Sequence, residues 1–238
     1  MRASQLVRTL GHACLAVLLS VILLFIAAQI YFATLIYWYA DHAPRSTSFM
    51  SERMGALHDT KPDAEIKYQW VSYDKISRNL KRALIAAEDS KFVEHEGFDW
   101  DGIQVALEKN RVKGRHVAGG STITQQLAKN LFLSSEKSYL RKGQEAIITL
   151  MLENILDKER ILELYLNVIE WGNGVFGAEA AARRYFGVSA SQLSAEQAAK
   201  LAAMAPNPRF YERNLNAPGL RKKTGIILAR MPQVELPE

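Results

Sequence analysis

The chain has 238 residues, with 30 Lys and Arg against 25 Asp and Glu, which gives a net charge of +5 at pH 7. This length suits one globular domain beside a hydrophobic N-terminal segment, and the positive charge favours anionic partners such as nucleic acid, anionic lipid or phosphate without choosing among them. The single cysteine, Cys14, excludes an intrachain disulfide, a Cys-rich metal site and a thiol redox pair.

An uncharged hydrophobic segment runs from Ala13 to Tyr39, with Ser20, Gln29 and Thr34 as its clearly polar residues. It exceeds the roughly 20 helical residues that cross a hydrocarbon core of ~30 Å, and the aromatic residues at its end fit an interfacial belt. A cleaved signal peptide would have a shorter apolar core followed by small residues. A buried core helix rarely runs this long without a charge, so a retained membrane anchor is favoured.

The charges that flank this segment set its expected orientation. Arg2 and Arg8 precede it and Asp41 follows it, a bias of only two side chains. Because cytoplasmic flanks carry the excess of Lys and Arg, the N-terminus is expected in the cytoplasm and the domain outside. The predicted organisation is a cytoplasmic N-terminus over residues 1–12, a transmembrane helix over 13–39, a linker over 40–65 and a folded domain over 66–238.

The remainder of the chain is dominated by helical patterns. The linker carries Pro44, Gly55 and Pro62 with no helical period, and residues 66–73 have the pattern of one short strand. Helices are predicted over residues 77–90, 101–109, 122–132, 140–156, 158–168, 176–186, 194–205 and 219–230. The predicted fold class is therefore mostly α, in a single domain.

Glu88 is the first acid of interest. It lies near the end of the 77–90 helix, four residues after Leu84 and at the edge of an apolar stripe. Partial burial there would raise the pKa of its carboxyl toward the range useful for a general base. A surface acid at a helix end is the commoner arrangement, so helix geometry alone favours a non-catalytic interpretation.

Glu145 is the second unusual acid. It points to the same side of the 140–156 helix as Ile148 and Leu152, which form the apolar face. Buried Glu is rare unless it is paired or functional. Arg141, four residues earlier, offers a plain ion pair as the structural explanation.

The segment G-G-S-T-I-T-Q-Q-L-A-K-N, residues 119–130, lies between the two acids. Thr122 with Gln125 three residues later matches a capping box, which predicts a helix start. One face of the predicted helix is polar without an acid, and it holds Thr122, Gln125, Gln126 and Lys129. Such a face suits an anionic or sugar ligand, and Lys137 and Arg141 follow closely enough to complete a cationic clamp on phosphate. A capped amphipathic helix explains most of the same pattern.

A basic segment precedes the paired glycines. It has Lys109, Arg111, Lys113 and Arg115 at every second position and two turn signals. This pattern predicts a mobile basic loop that contacts lipid headgroups or a pyrophosphate, or that is simply solvated. His95 is interpreted as a hydrogen-bonded structural residue, and no spacing of His, Asp and Glu predicts a metal site.

Residues 88–99, E-D-S-K-F-V-E-H-E-G-F-D, resemble the motif E-D-x-x-F-x-x-H-x-G-x-D of the peptidoglycan glycosyltransferases, the family shared by monofunctional transglycosylases and class A penicillin-binding proteins. Further motifs of the family follow in order. Residues 119–130 resemble its motif G-G-S-T-I-T-Q-Q-x-x-K-N, and residues 141–145 resemble its motif R-K-x-x-E. Residues 165–167 resemble Y-L-N, residues 177–186 resemble G-x-x-x-A-A-x-x-Y-F, and residues 193–211 resemble the closing segment of the family. Several long motifs in order make chance implausible. Asp157 departs from the Ser common in the family, which we expect to affect helix capping alone.

The resemblance implies a lysozyme-like, two-lobed helical domain that polymerises lipid II, the undecaprenyl-pyrophosphate-linked GlcNAc-MurNAc-peptide, into β-1,4 glycan strands. It implies that Glu88 deprotonates the 4-hydroxyl of the acceptor GlcNAc, which attacks the donor MurNAc with inversion. It implies that Glu145 assists on the donor side, directly or through a divalent cation, Mg²⁺ or Mn²⁺. The implied substrate-binding residues are Asp89, Ser121, Thr122, Gln125, Gln126, Lys129, Asn130, Lys137 and Arg141. No residue is assigned to a metal.

The expected location is the bacterial inner membrane, crossed once, with the catalytic domain in the periplasm. The expected partners are lipid II, the growing glycan strand and the membrane, with cell-wall synthesis or division proteins as further candidates and no nucleic acid. Nominal S-x-x-K and K-T-G matches occur at residues 72–75 and 223–225. We interpret them as accidental, because the first precedes the glycosyltransferase motifs and too few residues follow the second for a penicillin-binding domain, so the monofunctional type is expected.

Three other functions stay open at this point. A muramidase or lytic transglycosylase would use a glutamate to protonate a glycosidic oxygen, but it needs no pyrophosphate clamp. A membrane-anchored scaffold would keep the motifs for folding alone, against which the intact Glu88 and Glu145 argue. Nucleic-acid binding rests on the net charge only.

Overall fold

The computed structural model describes residues 2–114 and 119–237, and it confirms the mostly α fold class. The helices of this described part are α1 (Arg2–Tyr39), α2 (Ser48–His58), α3 (Arg78–Glu88), α4 (Trp100–Lys113), α5 (Ile123–Phe132), α6 (Tyr139–Ile155), α7 (Lys158–Val168), α8 (Ala178–Phe186), α9 (Ala195–Met204), α10 (Pro208–Arg213) and α11 (Pro218–Arg230). The strands are β1 (Lys67–Tyr68), β2 (Glu170–Gly172) and β3 (Val175–Phe176).

Two groups of helices share one hydrophobic core. Helices α3, α9 and α11 pack on one another, and α5 packs on α6 and α7. Leu84 of α3, Leu127 of α5 and Leu201 of α9 are completely buried in this core. The C-terminal end of α3 therefore meets α5 at the junction of the two groups, and Glu88 is the residue that α3 places there.

A small sheet of order β1-β3-β2 packs beside α8. Strand β1 runs parallel to β3, and β2 runs antiparallel to it. The strand predicted over residues 66–73 is confirmed only at Lys67 and Tyr68, and a 3-10 turn follows at Tyr73–Lys75. Helix α8 begins later than predicted because Phe176 belongs to β3 and Gly177 adopts a φ of +84°, where a Cβ would lie 2.7 Å from a backbone oxygen.

The prediction of an irregular linker over residues 40–65 is wrong in part, because α2 lies within it. Thr47 caps this helix by accepting a hydrogen bond from the Met50 backbone N–H at 3.1 Å. Arg53 of α2 forms an ion pair with Glu170 of β2, with its Nε 2.8 Å from a carboxylate oxygen. Since α2 has no long apolar stripe, its cap and such distant contacts stabilise it, and periodicity could not reveal it.

The prediction of a basic loop is also wrong where the structure describes it, because Lys109, Arg111 and Lys113 belong to α4. Asp99 caps α4 by accepting from the Gly102 backbone N–H at 2.9 Å. The helix ends at Gly114, whose φ of +59° is a typical helix-terminating conformation. Arg115 lies outside the described residues.

Helix α1 contains a segment, Thr9–Tyr39, that is long and apolar enough to span a membrane. Its residues 9–27 are exposed along their whole length. Beyond them the helix contacts the domain, and Ile36 is completely buried there. The anchor predicted from the sequence is thus one continuous helix with an exposed part and a part that packs on the domain.

Candidate active site

Glu88 lies half-buried at the end of α3, which makes it neither a plain surface acid nor a core residue. Its Oε2 accepts a hydrogen bond from the Gln126 Nε2 at 2.9 Å. Burial raises the pKa of the Glu88 carboxyl, while the Gln126 hydrogen bond and the nearby Lys223 act in the opposite direction. The second oxygen, Oε1, accepts no hydrogen bond from any described residue. A carboxyl in this state can take a proton.

Gln126 is itself fixed by Tyr165 of α7. The Tyr165 hydroxyl donates to the Gln126 Oε1 at 2.8 Å, so the amide must turn its Nε2 toward Glu88. Tyr165 is almost completely buried, and burial raises the pKa of its hydroxyl well above the ordinary value. The hydroxyl therefore stays protonated, and three side chains from three helices form one ordered chain of hydrogen bonds.

Asp89 follows Glu88 and is buried. Its Oδ2 accepts from the backbone N–H of Ile123, the first residue of α5, at 3.0 Å, and its Oδ1 lies 2.9 Å from the His95 Nε2. The Gly97 backbone N–H donates to the His95 Nδ1 at 3.2 Å, so Nε2 carries the proton that bonds Asp89. This confirms the structural interpretation of His95. Oδ2 of Asp89 joins α3 to α5 and Oδ1 holds His95, and the expected contact of Asp89 with substrate stays a prediction.

The capping box predicted at the start of α5 is confirmed. The Thr122 Oγ1 accepts from the Gln125 backbone N–H at 3.2 Å, and the Gln125 Oε1 accepts from the Thr122 backbone N–H at 3.0 Å. Both residues are buried, so the first turn of the predicted polar face is closed. Their expected substrate contacts stay predictions, and Gln126 and Lys129 form the accessible part of this face.

A group of charged residues on α5 and α6 lies next to Gln126. Glu145 is 3% exposed, as its place on the apolar face predicted, and its Oε2 lies 2.5 Å from the Arg141 Nη1. Its Oε1 contacts the Nζ of Lys142, which also donates to the Ser121 Oγ at 3.3 Å. Burial lowers the pKa of Lys129, and the Glu145 carboxylate opposes that effect. Lys129, Arg141 and Lys142 form a cationic group with only one carboxylate, Glu145, beside them. This cationic group therefore attracts an anion.

Two other residues expected to bind substrate are placed differently. Asn130 is buried and donates from its Nδ2 to the Gln126 backbone oxygen at 2.7 Å, so it supports the helix beneath Gln126. Lys137 is exposed in the connection between α5 and α6, outside the cationic group. Their roles in binding are not decided by these contacts.

Two cavities flank the contact between Glu88 and Gln126. The first has a volume of about 470 Å³, and Glu88, Ser121 and Arg230 are among the residues that line it. The second has a volume of about 410 Å³ and is lined in part by Gln126 and Lys129. Both volumes are in the range of small-molecule sites. The arrangement suits two substrates that meet at Glu88.

Comparison with known proteins shows the family of the chain. A family model described as transglycosylase matches residues 54–232, most of the chain. The chain belongs to the transglycosylase family. The match begins at Met54 within α2, so the second half of this helix is part of the family's domain.

Proteins named biosynthetic peptidoglycan transglycosylase are similar to this transglycosylase over most of both chains. That of Chromobacterium violaceum is 66% identical over 203 residues, which are 85% of this chain and 89% of the relative. That of Dechloromonas aromatica is 60% identical over 230 residues, 97% of this chain and all of the relative. That of Herminiimonas arsenicoxydans is 60% identical over 216 residues, 91% and 94% of the two chains. The family resemblance is confirmed, and the protein is a peptidoglycan glycosyltransferase of cell-wall synthesis.

Several residues of this transglycosylase site were not singled out from the sequence. Lys142 lies three residues before Glu145 in a recognised motif, which is a signal that could have found it. Lys223 and Arg230 of α11 are seven residues apart, on one helix face near Glu88. Tyr165 lies in the recognised motif Y-L-N, but its role depends on a contact between α7 and α5 that periodicity does not reveal.

The described residues do not fit a divalent cation held by the transglycosylase itself. They contain no cluster of three His, Cys, Asp or Glu side chains. Both oxygens of Glu145 already face Arg141 and Lys142, whereas Mg²⁺ prefers carboxylate and water oxygens away from competing cations.

Proposed function

We propose that this transglycosylase polymerises lipid II into β-1,4 glycan strands by inverting glycosyl transfer, with Glu88 as the general base. The observation that carries the proposal is the half-buried Glu88 carboxyl, held through one oxygen by Gln126 and placed beside a cationic group. A raised pKa keeps such a carboxylate basic enough to accept a proton from a sugar hydroxyl.

The acceptor reacts at Glu88. The 4-hydroxyl of the acceptor GlcNAc gives its proton to Oε1 of Glu88, which accepts no hydrogen bond from the described residues, while Oε2 stays bonded to Gln126. The hydroxyl oxygen attacks the anomeric carbon of the donor MurNAc, the bond from that carbon to the pyrophosphate breaks, and the electron pair leaves with the phosphate. Attack from the face opposite the leaving group inverts the configuration.

The donor pyrophosphate binds at the cationic group. Lys129, Arg141 and Lys142 supply charge for the departing phosphate, and the Ser121 hydroxyl offers a further hydrogen bond. Glu145 keeps Arg141 and Lys142 side by side until the phosphate oxygens replace its carboxylate as their partner. A diphosphate is already a good leaving group, so the enzyme needs to supply only a base and charge stabilisation for the glycosyl transfer.

The proposed setting is the bacterial inner membrane, with α1 as the anchor and the domain in the periplasm. The substrate cannot leave the bilayer, so an anchored enzyme meets it at high local concentration. The growing glycan strand occupies one side of the site after each transfer. Cell-wall synthesis or division proteins stay candidates for further partners.

The test is polymerisation of labelled lipid II by the wild type and by Glu88→Gln and Lys129→Ala. We expect Glu88→Gln to lower the rate by about 10²–10⁴-fold, the usual contribution of a general base, and Lys129→Ala by about 10²–10³-fold through lost charge stabilisation. The exposed Glu94→Gln and Lys61→Ala are matched controls and should leave the rate unchanged. A chelator should not affect the wild type.

Each part of the proposal can fail separately. A wild type that cleaves isolated sacculi but does not elongate lipid II would overturn the direction of the reaction. Full activity of Glu88→Gln would show that the base is another residue. A rate that falls on chelation and returns with Mg²⁺ would show that a cation is required.

A further inference from the structure

The polar residues of the anchor helix α1 do not all behave alike. The Ser20 Oγ donates to the Ala16 backbone oxygen and the Thr34 Oγ1 to the Ile30 backbone oxygen, both at 2.8 Å. Those hydroxyls are therefore satisfied within their own helix. Gln29 is different, because its Nε2 donates to the Phe25 backbone oxygen at 3.3 Å and its side chain also forms hydrogen bonds outside α1.

Gln29 forms a reciprocal amide pair with Gln144 of α6. The Gln144 Nε2 donates to the Gln29 Oε1 at 2.8 Å, and the Gln29 Nε2 donates to the Gln144 Oε1 at 3.2 Å. Separating the two amides in an apolar medium would leave the Gln29 Oε1 and the amide of Gln144 without these partners, which is costly, while the Gln29 Nε2 would keep only the Phe25 backbone oxygen. The pair therefore resists both sliding and rotation of α6 along the anchor.

The pair lies where the exposed part of α1 ends. Residues 9–27 are exposed, and 19 helical residues are about 28 Å long, close to a hydrocarbon core of ~30 Å. From residue 28 onward one side of α1 faces the domain, where Phe32 and Tyr39 both contact the Phe132 ring. The exposed Tyr31 and Trp38 fit the interfacial region on the other side. Gln29 is thus placed near the boundary between hydrocarbon and headgroups.

The partner of Gln29 is adjacent to the site. Gln144 directly precedes Glu145, and Arg141 and Lys142 lie within one turn of it on the same helix. A contact that fixes the depth of Gln144 therefore fixes the depth of these cations as well. Pyrophosphate on a membrane lipid lies at the headgroup level, just outside the hydrocarbon.

We propose that the Gln29–Gln144 pair is a docking contact that sets the depth of the cationic group in the bilayer, so that it meets the pyrophosphate of the lipid-linked donor. Gln29 and Gln144 are positioning residues, since neither contacts the reacting atoms. The inference rests on the proposed function for its substrate but not for the docking itself.

A spin label tests the docking without any substrate. Gly143→Cys in a Cys14→Ser background places the label beside Gln144, at a position where an added Cβ meets no atom within 4 Å. The depth of the label in the bilayer is read from its accessibility to oxygen relative to its accessibility to a water-soluble nickel complex. In phospholipid vesicles we expect Gln29→Leu and Gln144→Leu each to change this depth. Thr34→Val, in the same helix but bonded only to α1, is the matched control and should not. A spin label with the same depth and the same mobility in the wild type and in all variants would overturn the proposal.

Activity gives the second measurement. Hydrogen-bonded pairs of this kind average about threefold in an equilibrium constant, so we expect each Gln variant to raise the KM for lipid II in vesicles about threefold, with kcat unchanged. For a short-chain, water-soluble analogue of lipid II, the KM of each Gln variant should equal that of the wild type. The double variant should be no worse than either single one. Losses that multiply, or equal losses with both substrates, would contradict a docking role. If the wild type polymerises neither substrate, the proposed function fails while the spin-label result still stands.

Discussion

Glu88 has a measurable cost for the fold as well as a role in the chemistry. Burial raises the pKa of its carboxyl, so the folded chain binds this proton more tightly than the unfolded chain does. Stability contributed by this group therefore falls as the pH rises from about 4, the ordinary value for Glu, through the raised pKa. Ionisation of this carboxyl therefore costs stability, which is the usual conflict between stability and activity at a catalytic site.

Glu88→Gln should consequently be more stable than the wild type at pH 7, even though it is expected to polymerise lipid II far more slowly. The amide keeps an acceptor for the Gln126 Nε2 but carries no charge. Each kcal/mol regained should raise the Tm of a chain of this size by about 2–4 °C. Thermal unfolding at pH 7 and pH 4 measures the difference, which should vanish at pH 4. An equal gain at both pH values, or a gain in the exposed Glu94→Gln, would assign the effect to something other than the carboxyl charge.

Tyr165 should affect the pH dependence of the reaction rather than the reaction itself. Tyr165→Phe removes the hydroxyl that orients the Gln126 amide, so Glu88 loses a donor that favours its charged form, and the pKa of Glu88 rises further. The acid limb of kcat/KM should move to higher pH, by about one to two pH units at most, the equivalent of one hydrogen bond to a charged group.

The matched control for this prediction is Tyr185→Phe. The Tyr185 hydroxyl donates to the Trp171 backbone oxygen at 2.8 Å, a bond of similar length at another place in the domain. Its loss should lower stability and leave the pH profile where it is. A uniform loss of rate in Tyr165→Phe at every pH would show a structural effect without a change in the Glu88 proton affinity.

At the scale of elements, the end of α3 and the start of α5 are joined by Asp89. A carboxylate is favoured at a helix N-terminus, and here it also accepts a hydrogen bond from the His95 Nε2. Asp89→Asn keeps the shape but turns an NH₂ group toward one of two N–H donors. We expect a loss of about 1–3 kcal/mol in the free energy of unfolding. Polymerisation should also be slower, because Glu88 and Gln126 are no longer held in their relative positions.

Asp157→Asn is the control for that change. Asp157 caps α7 by accepting from the Arg160 backbone N–H at 2.7 Å, and Asn caps a helix about as well as Asp does. Chemical denaturation of both variants should therefore separate them, with Asp157→Asn close to the wild type. Equal stability of Asp89→Asn and the wild type would mean that the link between α3 and α5 does not depend on the carboxylate.

The elements that could be predicted are those with a local signal. The capping box of α5 and the apolar face that buries Glu145 follow from residue spacing, and both are confirmed. Helix α2 could not be found, because a partner far along the chain, Glu170, stabilises it. Strand β3 pairs with the distant β1 but also with the adjacent β2, and the Asn173-Gly174 turn between β2 and β3 is a local signal that could have found it. The same limit applies to the site: the acids and cations were visible as motifs, whereas the contact from Tyr165 through Gln126 to Glu88 exists only in the folded arrangement.

At the scale of the whole molecule, the anchor and the domain form one packed unit. Besides the contacts of Gln29 and Phe132, Arg160 of α7 donates to the backbone oxygens of Tyr39 and His42 at 2.7 and 2.8 Å. These contacts are the same whichever way the helix crosses a membrane. Packing therefore cannot decide the orientation, and the flanking charges must.

Arg2 and Arg8 before the span predict that the domain lies outside the cytoplasm. Protease added to intact spheroplasts should then digest the domain and leave a fragment that contains the exposed part of α1. Because the bias rests on two side chains, Arg2→Gln combined with Arg8→Gln should leave a fraction of chains inverted, with their domains protected until the cells are lysed. The charge-preserving pair Arg2→Lys and Arg8→Lys should behave like the wild type. A wild-type domain that resists protease until lysis would reverse the orientation and would separate the active site from any substrate on the outer surface.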